Sequence, residues 1–355
     1  MAEVSWAGRA QRFDTAEDAA ELCAALEAAP GAERVVLSGN TFSVEAAAAV
    51  AQRLAGMAEL RELDLADMFT TRLKEEVPRA LEEVRAAVQA HPRLARVDCS
   101  DNALGAPGVA ALAGLLAATP SLRTLALNNC GVGTAGAQVL ADALAELGAG
   151  GVHADRLLLA RNRLKDDGAQ VLAAGLAHVP GLRGLQLNGN SIGAEGAAAV
   201  CRALGDKAGL EELDMNDNNF KEAGAAALLE ALPGWPGLRA LNLGDCMLEG
   251  RVGDLLCGLT SSCTRLEALD LSYDDIGEEE EELLVGLVKA APGLSSLNVN
   301  GNCLRPATVA AIREALADAD ALGSLSDNEY FSDDDDGEED GDLADLEARV
   351  QGMDI

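Results

Sequence analysis

Aromatic residues are scarce in this 355-residue chain: two Trp, two Tyr and five Phe make up 3% of it, although 49% is hydrophobic. A single large core normally draws on rings for bulk. Here the interior must be built from Leu, Val and Ala, which suits many small cores repeated along a solenoid. Only three His are present, and the eight Cys include no CxxC pair. Zinc-finger spacing and the cysteine density of a small secreted scaffold are thereby excluded. No basic start leads into an apolar run, and no stretch approaches ~18 apolar residues, so neither a secretory signal nor membrane insertion is expected. The plain reading is a soluble intracellular protein with reduced cysteines. A P-loop, a GxGxxG after a strand, a GxSxG and an HExxH are all missing, so no cofactor, no metal and no small-molecule catalytic centre is expected.

Positive charge is short as well. Lys and Arg number 27 against 59 acids, for a formal net charge of −32. Residues 327–355 hold 13 acids and one Arg, contributing −12, and the body before them carries −20. Such a chain repels nucleic acid and attracts basic protein surfaces.

What is present is a period. The pattern Leu-x-Leu-x-x-Asn-x-Leu recurs as VVLSGNTF, LDLADMFT, VDCSDNAL, LALNNCGV, LLLARNRL, LQLNGNSI, LDMNDNNF, LNLGDCML, LDLSYDDI and LNVNGNCL. Its Asn slot falls at Asn40, Met68, Asn102, Cys130, Asn162, Asn190, Asn218, Cys246, Asp274 and Asn302, with gaps of 28, 34, 28, 32 and then 28 five times. Two alternating Leu put their side chains on one face of a short strand. The slot Asn can bond backbone groups where the chain turns away. Each strand leads through a Gly-containing turn to an Ala/Leu run such as GAEGAAAVCRAL (193–204) or KEAGAAALLEAL (221–232), whose three- and four-residue spacing reads as helix. The predicted fold is therefore an α/β leucine-rich-repeat solenoid, a ribonuclease-inhibitor-like crescent with parallel inner strands and outer helices. It should occupy residues 1–325 in about 10–11 repeats. Residues 1–30 lack the strand pattern and read as a degenerate first repeat or a cap, with Trp6 and Phe13 covering the open end and a helix over 18–29. A last helix is expected over 306–322. Residues 326–355 read as a disordered acidic tail. A monomer is expected.

Reading out the positions between and just after the two Leu gives Asp64, Asp67, Asp98, Asp101, Asn128, Asn129, Asp214, Asp217, Asn242, Asp245, Asp270 and Tyr273. Eight are Asp, and Arg161 is the one base among the equivalent positions. Asp is a poor strand former, so its concentration here points to a basic partner. Exposed positions of an acidic protein are acidic in any case, and that plainer reading stays open. The 32-residue gap reads as a loop extension near 149–153. The 34-residue gap inserts residues directly after a strand, in FTTRLKEEVPRAL (69–81), and brings Arg72 and Lys74 to an acidic edge. Loops on a rigid scaffold often carry function, though these two bases could simply pair with Glu75, Glu76 or a nearby Asp.

At this point the chain resembles a known family, the Ran GTPase-activating proteins. The resemblance covers residues 30–345 and rests on LSGNTFSVEAA (37–47), DMFTTRLKEEVPRAL (67–81), SDNALGAPGV (100–109) and LNNCGVGTAGA (127–137). It implies an activator rather than an enzyme, acting on Ran in its GTP-bound state in support of nucleocytoplasmic transport and leaving room for an accessory Ran-binding protein. It implies that Asn129 helps to position the GTPase's own catalytic Gln, that Arg72 is the important loop arginine and Lys74 its neighbour, and that no arginine finger is inserted. Asp67, Asp98, Asp101, Asn128, Arg161, Asp214, Asp217 and Asp245 are then the expected partner-binding residues. The plant-type N-terminal targeting domain and the vertebrate C-terminal conjugation domain are not seen. A cytoplasmic location is implied, with the nuclear periphery as the other family location but no sequence support for anchoring there. Neither Arg72 nor Asn129 occupies a core slot, so their loss is expected to spare thermal stability. The alternatives are a leucine-rich inhibitor or scaffold, which would carry more Cys, and a histone-binding acidic protein, whose leucine-rich head would be shorter.

Overall fold

The computed structural model describes residues 2–89, 91–150 and 154–328. Its strands are three residues long because the second Leu of each pattern already belongs to the turn. They are β1 (Glu3–Ser5), β3 (Arg34–Val36), β5 (Glu62–Asp64), β6 (Arg96–Asp98), β7 (Thr124–Ala126), β8 (Arg156–Leu158), β9 (Gly184–Gln186), β10 (Glu212–Asp214), β11 (Ala240–Asn242), β12 (Ala268–Asp270) and β13 (Ser296–Asn298). All eleven form one sheet in chain order, and each pair is parallel. Two-residue strands β2 (Arg12–Phe13) and β4 (Thr41–Phe42) pair beside it. Equivalent residues are in register, so Leu157, Leu185, Leu213, Leu241, Leu269 and Leu297 stack as one buried column.

Each strand after β1 is followed by a helix on the other side of the core. These are α2 (Val44–Leu54), α3 (Glu76–Val88), α4 (Gly105–Ala118), α5 (Gly133–Gly150), α6 (Lys165–Leu176), α7 (Ala194–Leu204), α8 (Lys221–Ala231), α9 (Val252–Ser262), α10 (Glu281–Ala290) and α11 (Pro306–Ala315), with α1 (Ala20–Ala28) ahead of them. Small residues set the helix spacing: a Cβ added to Gly175 of α6 would stand 2.5 Å from the Cα of Ala141 on α5. The predicted α/β leucine-rich-repeat solenoid is the fold observed.

The Asn slot links the repeats. Asn190 donates through Nδ2 to the carbonyls of Leu187 (2.8 Å) and Leu159 (2.9 Å), and its Oδ1 accepts the Asn162 amide at 2.8 Å. Asn102, Asn162, Asn218 and Asn302 repeat this arrangement. Each slot side chain thus satisfies buried backbone groups of its own turn and of the repeat before it, groups that are costly to leave unpaired. Cys130 and Cys246 do less, donating Sγ–H to Cys99 O and Met215 O at 3.1 Å each.

Four expectations are corrected. Residues 1–30 do hold a strand: β1 opens the large sheet, although AEVSWAG lacks the paired Leu. Trp6 and Phe13 are buried there, with Phe13 stacked on Phe42 at 4.6 Å. In the 32-residue gap helix α5 runs on to Gly150, inside the expected extension, and the remaining 151–153 lie outside the described residues. The last helix ends at Ala315, not 322. Finally, the repeat pattern runs past 325. Leu322 bridges Leu297 in parallel, and Asn328 plays part of a slot's role, accepting the Leu304 amide at 3.1 Å as slot oxygens do but donating to the Leu304 carbonyl at 3.0 Å instead of the usual pair. Asp327 joins it, receiving the Tyr273 hydroxyl and the Asn300 amide. The segment 322–328 is a shortened repeat that closes the end of the sheet. The rest of the expected tail, 329–355, lies outside the described residues.

Candidate functional site at the strand-end rim

The residue before each slot is forced into the left-handed region. Gly39, Asp67, Asp101, Asn129, Arg161, Gly189, Asp217, Asp245, Tyr273 and Gly301 all have φ between 46° and 72°. Gly, Asn and Asp tolerate that conformation best, which accounts for eight of the ten residues without any partner. A second row sits at the strand ends. Asp64, Asp98, Asp214, Asn242, Asp270 and Asn298 each accept the amide two residues on, at 3.0–3.2 Å. These are Asx turns, which release the chain from the strand. The abundance of Asp that pointed to binding is therefore largely demanded by the fold. The whole row is half-buried, and burial raises the pKa of Asp64 and Asp214.

The left-handed row nevertheless projects its side chains. Asp101, Asn129 and Arg161 follow adjacent strands β6, β7 and β8 and form an exposed cluster. Asn129 Nδ2 donates to Asp101 Oδ1 at 2.9 Å, and Arg161 approaches the same oxygen at 3.9 Å. Because a carboxylate can only accept, this bond fixes which end of the Asn129 amide faces it and turns Oδ1 outward. Asn128 is committed to the scaffold: its Oδ1 accepts the Ala160 amide at 2.8 Å. Asp98 pairs with Arg96 at 2.9 Å, and Asp67 accepts from Thr70. Asp217 and Asp245 are exposed and have no ion pair among the described residues.

Arg72 is placed differently from its sequence reading. Its side chain is only 4% exposed. Nε donates to Thr41 Oγ1 (3.0 Å), Nη1 to Asp14 Oδ1 (2.6 Å), and Nη2 to the carbonyls of Phe13 (2.9 Å) and Thr41 (3.1 Å). The guanidinium thus staples the inserted loop to the two-stranded β2–β4 corner, and the expectation that its loss spares stability does not hold. The fixed loop presents Leu73, 66% exposed, and Lys74, 88% exposed and 3.8 Å from Glu75. Leu73 was missed by reading charges alone; the signal was an apolar residue inside a polar insertion. The loop follows β5 and Asn129 follows β7, so both lie on the same rim with one strand between them.

Comparison with known proteins gives the same picture. The Leucine Rich repeat family model matches residues 119–141, 182–201 and 210–229. The Ran GTPase-activating protein 1 of Xenopus laevis is 37% identical over 199 residues, which is 54% of this chain and 34% of that protein. The Ran GTPase-activating protein of Drosophila melanogaster is 35% identical over 53% of this chain and 33% of its own length, and the Saccharomyces cerevisiae protein 1 is 31% identical over 53% and 49%. The matched region therefore spans between a third and a half of these relatives. Among solved structures, an internalin from Listeria monocytogenes aligns over 94% of this chain and 87% of its own at 16% identity and a TM-score of 0.42. The chain thus folds as a leucine-rich-repeat solenoid and is similar, over about half of its length, to proteins named Ran GTPase-activating protein.

Proposed function

We propose that this chain stimulates GTP hydrolysis by Ran in its GTP-bound state, with the chemistry taking place in the partner's own nucleotide site. The observation that carries the reading is the likeness to named Ran GTPase-activating proteins at 31–37% identity. Asn129 is the positioning group. Held by Asp101, it offers its outward Oδ1 as an acceptor for the side-chain amide of the partner's catalytic Gln, which in turn orients the attacking water. The engagement of Arg72 by four acceptors supports the part of the reading in which no arginine is inserted into the nucleotide site. Its role is to hold the loop that brings Leu73 and Lys74 to the partner. Asp217 and Asp245 draw in a basic surface, acting on encounter more than on chemistry.

The test is single-turnover GTP hydrolysis by purified Ran with and without this chain. A large acceleration is expected, and an unchanged rate at saturating chain would overturn the proposal.

A further inference from the structure

The slot at Asp274 breaks a rule that its neighbours obey. In Asn190, Asn218 and Asn302 the Nδ2 group donates to the carbonyl three residues back and to one in the preceding repeat. The matching carbonyls for position 274 are those of Leu271 and Leu243. Asp274 is 3% exposed. Its Oδ1 plays the usual acceptor part, taking the Cys246 amide at 3.0 Å, but its Oδ2 is buried without a partner. An ionised carboxylate would turn a bare oxygen toward carbonyl oxygens. A neutral acid would turn an O–H donor toward them, as the amide does in the neighbouring repeats.

We infer that Asp274 stands in for asparagine as a protonated acid, and that its ionisation is a pH-sensitive break point between the repeats of β11 and β12. The surroundings agree. Burial is the largest influence, and the charged groups acting on the side chain are three more carboxylates, Asp245 in the preceding turn, Asp270 at the end of β12 and Asp275 beside it; together they bring its pKa up to about 7. The neighbouring slots offer no cation: Cys246 has a thiol pushed up by burial, and Asn302 is neutral. The sign follows. The folded value lies above the ordinary 3.8, so the folded state holds a proton that the unfolded chain gives up. Stability from this group is complete below about pH 4 and declines as pH rises, reaching its full loss above about pH 7.

The test compares the full chain with Asp274→Asn. Hydrogen exchange of the Cys246 and Asp245 amides, which donate to Asp274 Oδ1 and the Ser272 carbonyl across this junction, reports the local opening equilibrium at each pH once corrected for intrinsic rate. In the wild type that equilibrium should rise by up to tenfold per pH unit between about pH 4 and about pH 7 and level off above it. In Asp274→Asn it should be flat, with the two proteins converging toward low pH. A carbon-13 titration of the Asp274 carboxyl should place its midpoint well above the ordinary carboxylate range. Equal pH profiles for the two proteins, or a carboxyl that titrates near pH 4, would overturn the inference.

Discussion

The two rims of the large sheet both carry charge, but they use it differently. On the strand-start rim, the residues just before the strands alternate in sign and pair between adjacent repeats: Arg61 with Glu33, Arg123 with Asp155, Arg183 with Glu211, and Arg239 with Glu267. On the strand-end rim the equivalent row is Asp67, Asp101, Asn129, Arg161, Asp217 and Asp245, with a single base. Backbone geometry explains the contrast. Strand-start residues are extended, so any side chain is allowed and opposite charges can face each other across one strand spacing. Strand-end residues are left-handed, which favours short acids and amides that seldom find a cation in the next repeat. One rim is largely self-neutralised, and the other keeps an exposed excess of negative charge.

The sharpest test of that contrast is Asn129. Replacement by Gly keeps the left-handed backbone at no steric cost and should lower the maximal rate of Ran GTP hydrolysis by about 100-fold or more, with complex formation and melting temperature unchanged. Ala is a poorer probe, because φ of 53° adds about 1 kcal/mol of backbone strain. Full activity in Asn129→Gly would remove the chemical distinction between the rims. Next comes Arg72, on the same rim but turned inward. Arg72→Ala should cost about 1–3 kcal/mol in chemical denaturation, since it strands three part-buried acceptors and leaves a void where the buried guanidinium sat. Arg72→Lys should recover little, because a point charge cannot span the same four oxygens. A variant with wild-type stability but no activity would mean that the arginine acts directly on the partner.

Smaller effects should separate the rims by charge. Asp217→Asn with Asp245→Asn should slow association with Ran by about threefold at low salt and flatten its salt dependence. Glu211→Gln with Glu267→Gln, on the paired rim, should change the on-rate by less. Stopped-flow association at two ionic strengths decides between them, and equal effects would erase the comparison. Smallest of all, a double-mutant cycle on Arg239 and Glu267 should return about 0.2–1 kcal/mol, as exposed pairs do.

The repeat was legible because it is a local code: two Leu, a turn and an Asn within eight residues. What escaped were contacts made at long range or by shortened copies. Val4 alone marks β1, and LGSLSDN (322–328) carries its slot with one residue too many before it, so neither end matches the pattern. The partners of Arg72 stand 58, 59 and 31 residues earlier in the chain, at Asp14, Phe13 and Thr41. No spacing rule connects them. The aspartates were visible, but their reason was not, because Asx turns and positive φ are properties of the backbone that a composition count reads as surface charge. Asn129 stood out through resemblance; its orientation by Asp101 needed coordinates.

The slot bonds also give the molecule a direction in time. Each Asn reaches backward, closing amides and carbonyls in the repeat that precedes it, so a repeat is finished only when its successor arrives. A chain emerging from the ribosome N-terminus first would therefore trail one unfinished turn at its growing end, passed along from repeat to repeat. Asn328 takes up only part of that role for the turn of Asn302, holding the amide and carbonyl of Leu304, so the last turn is closed less fully than those before it.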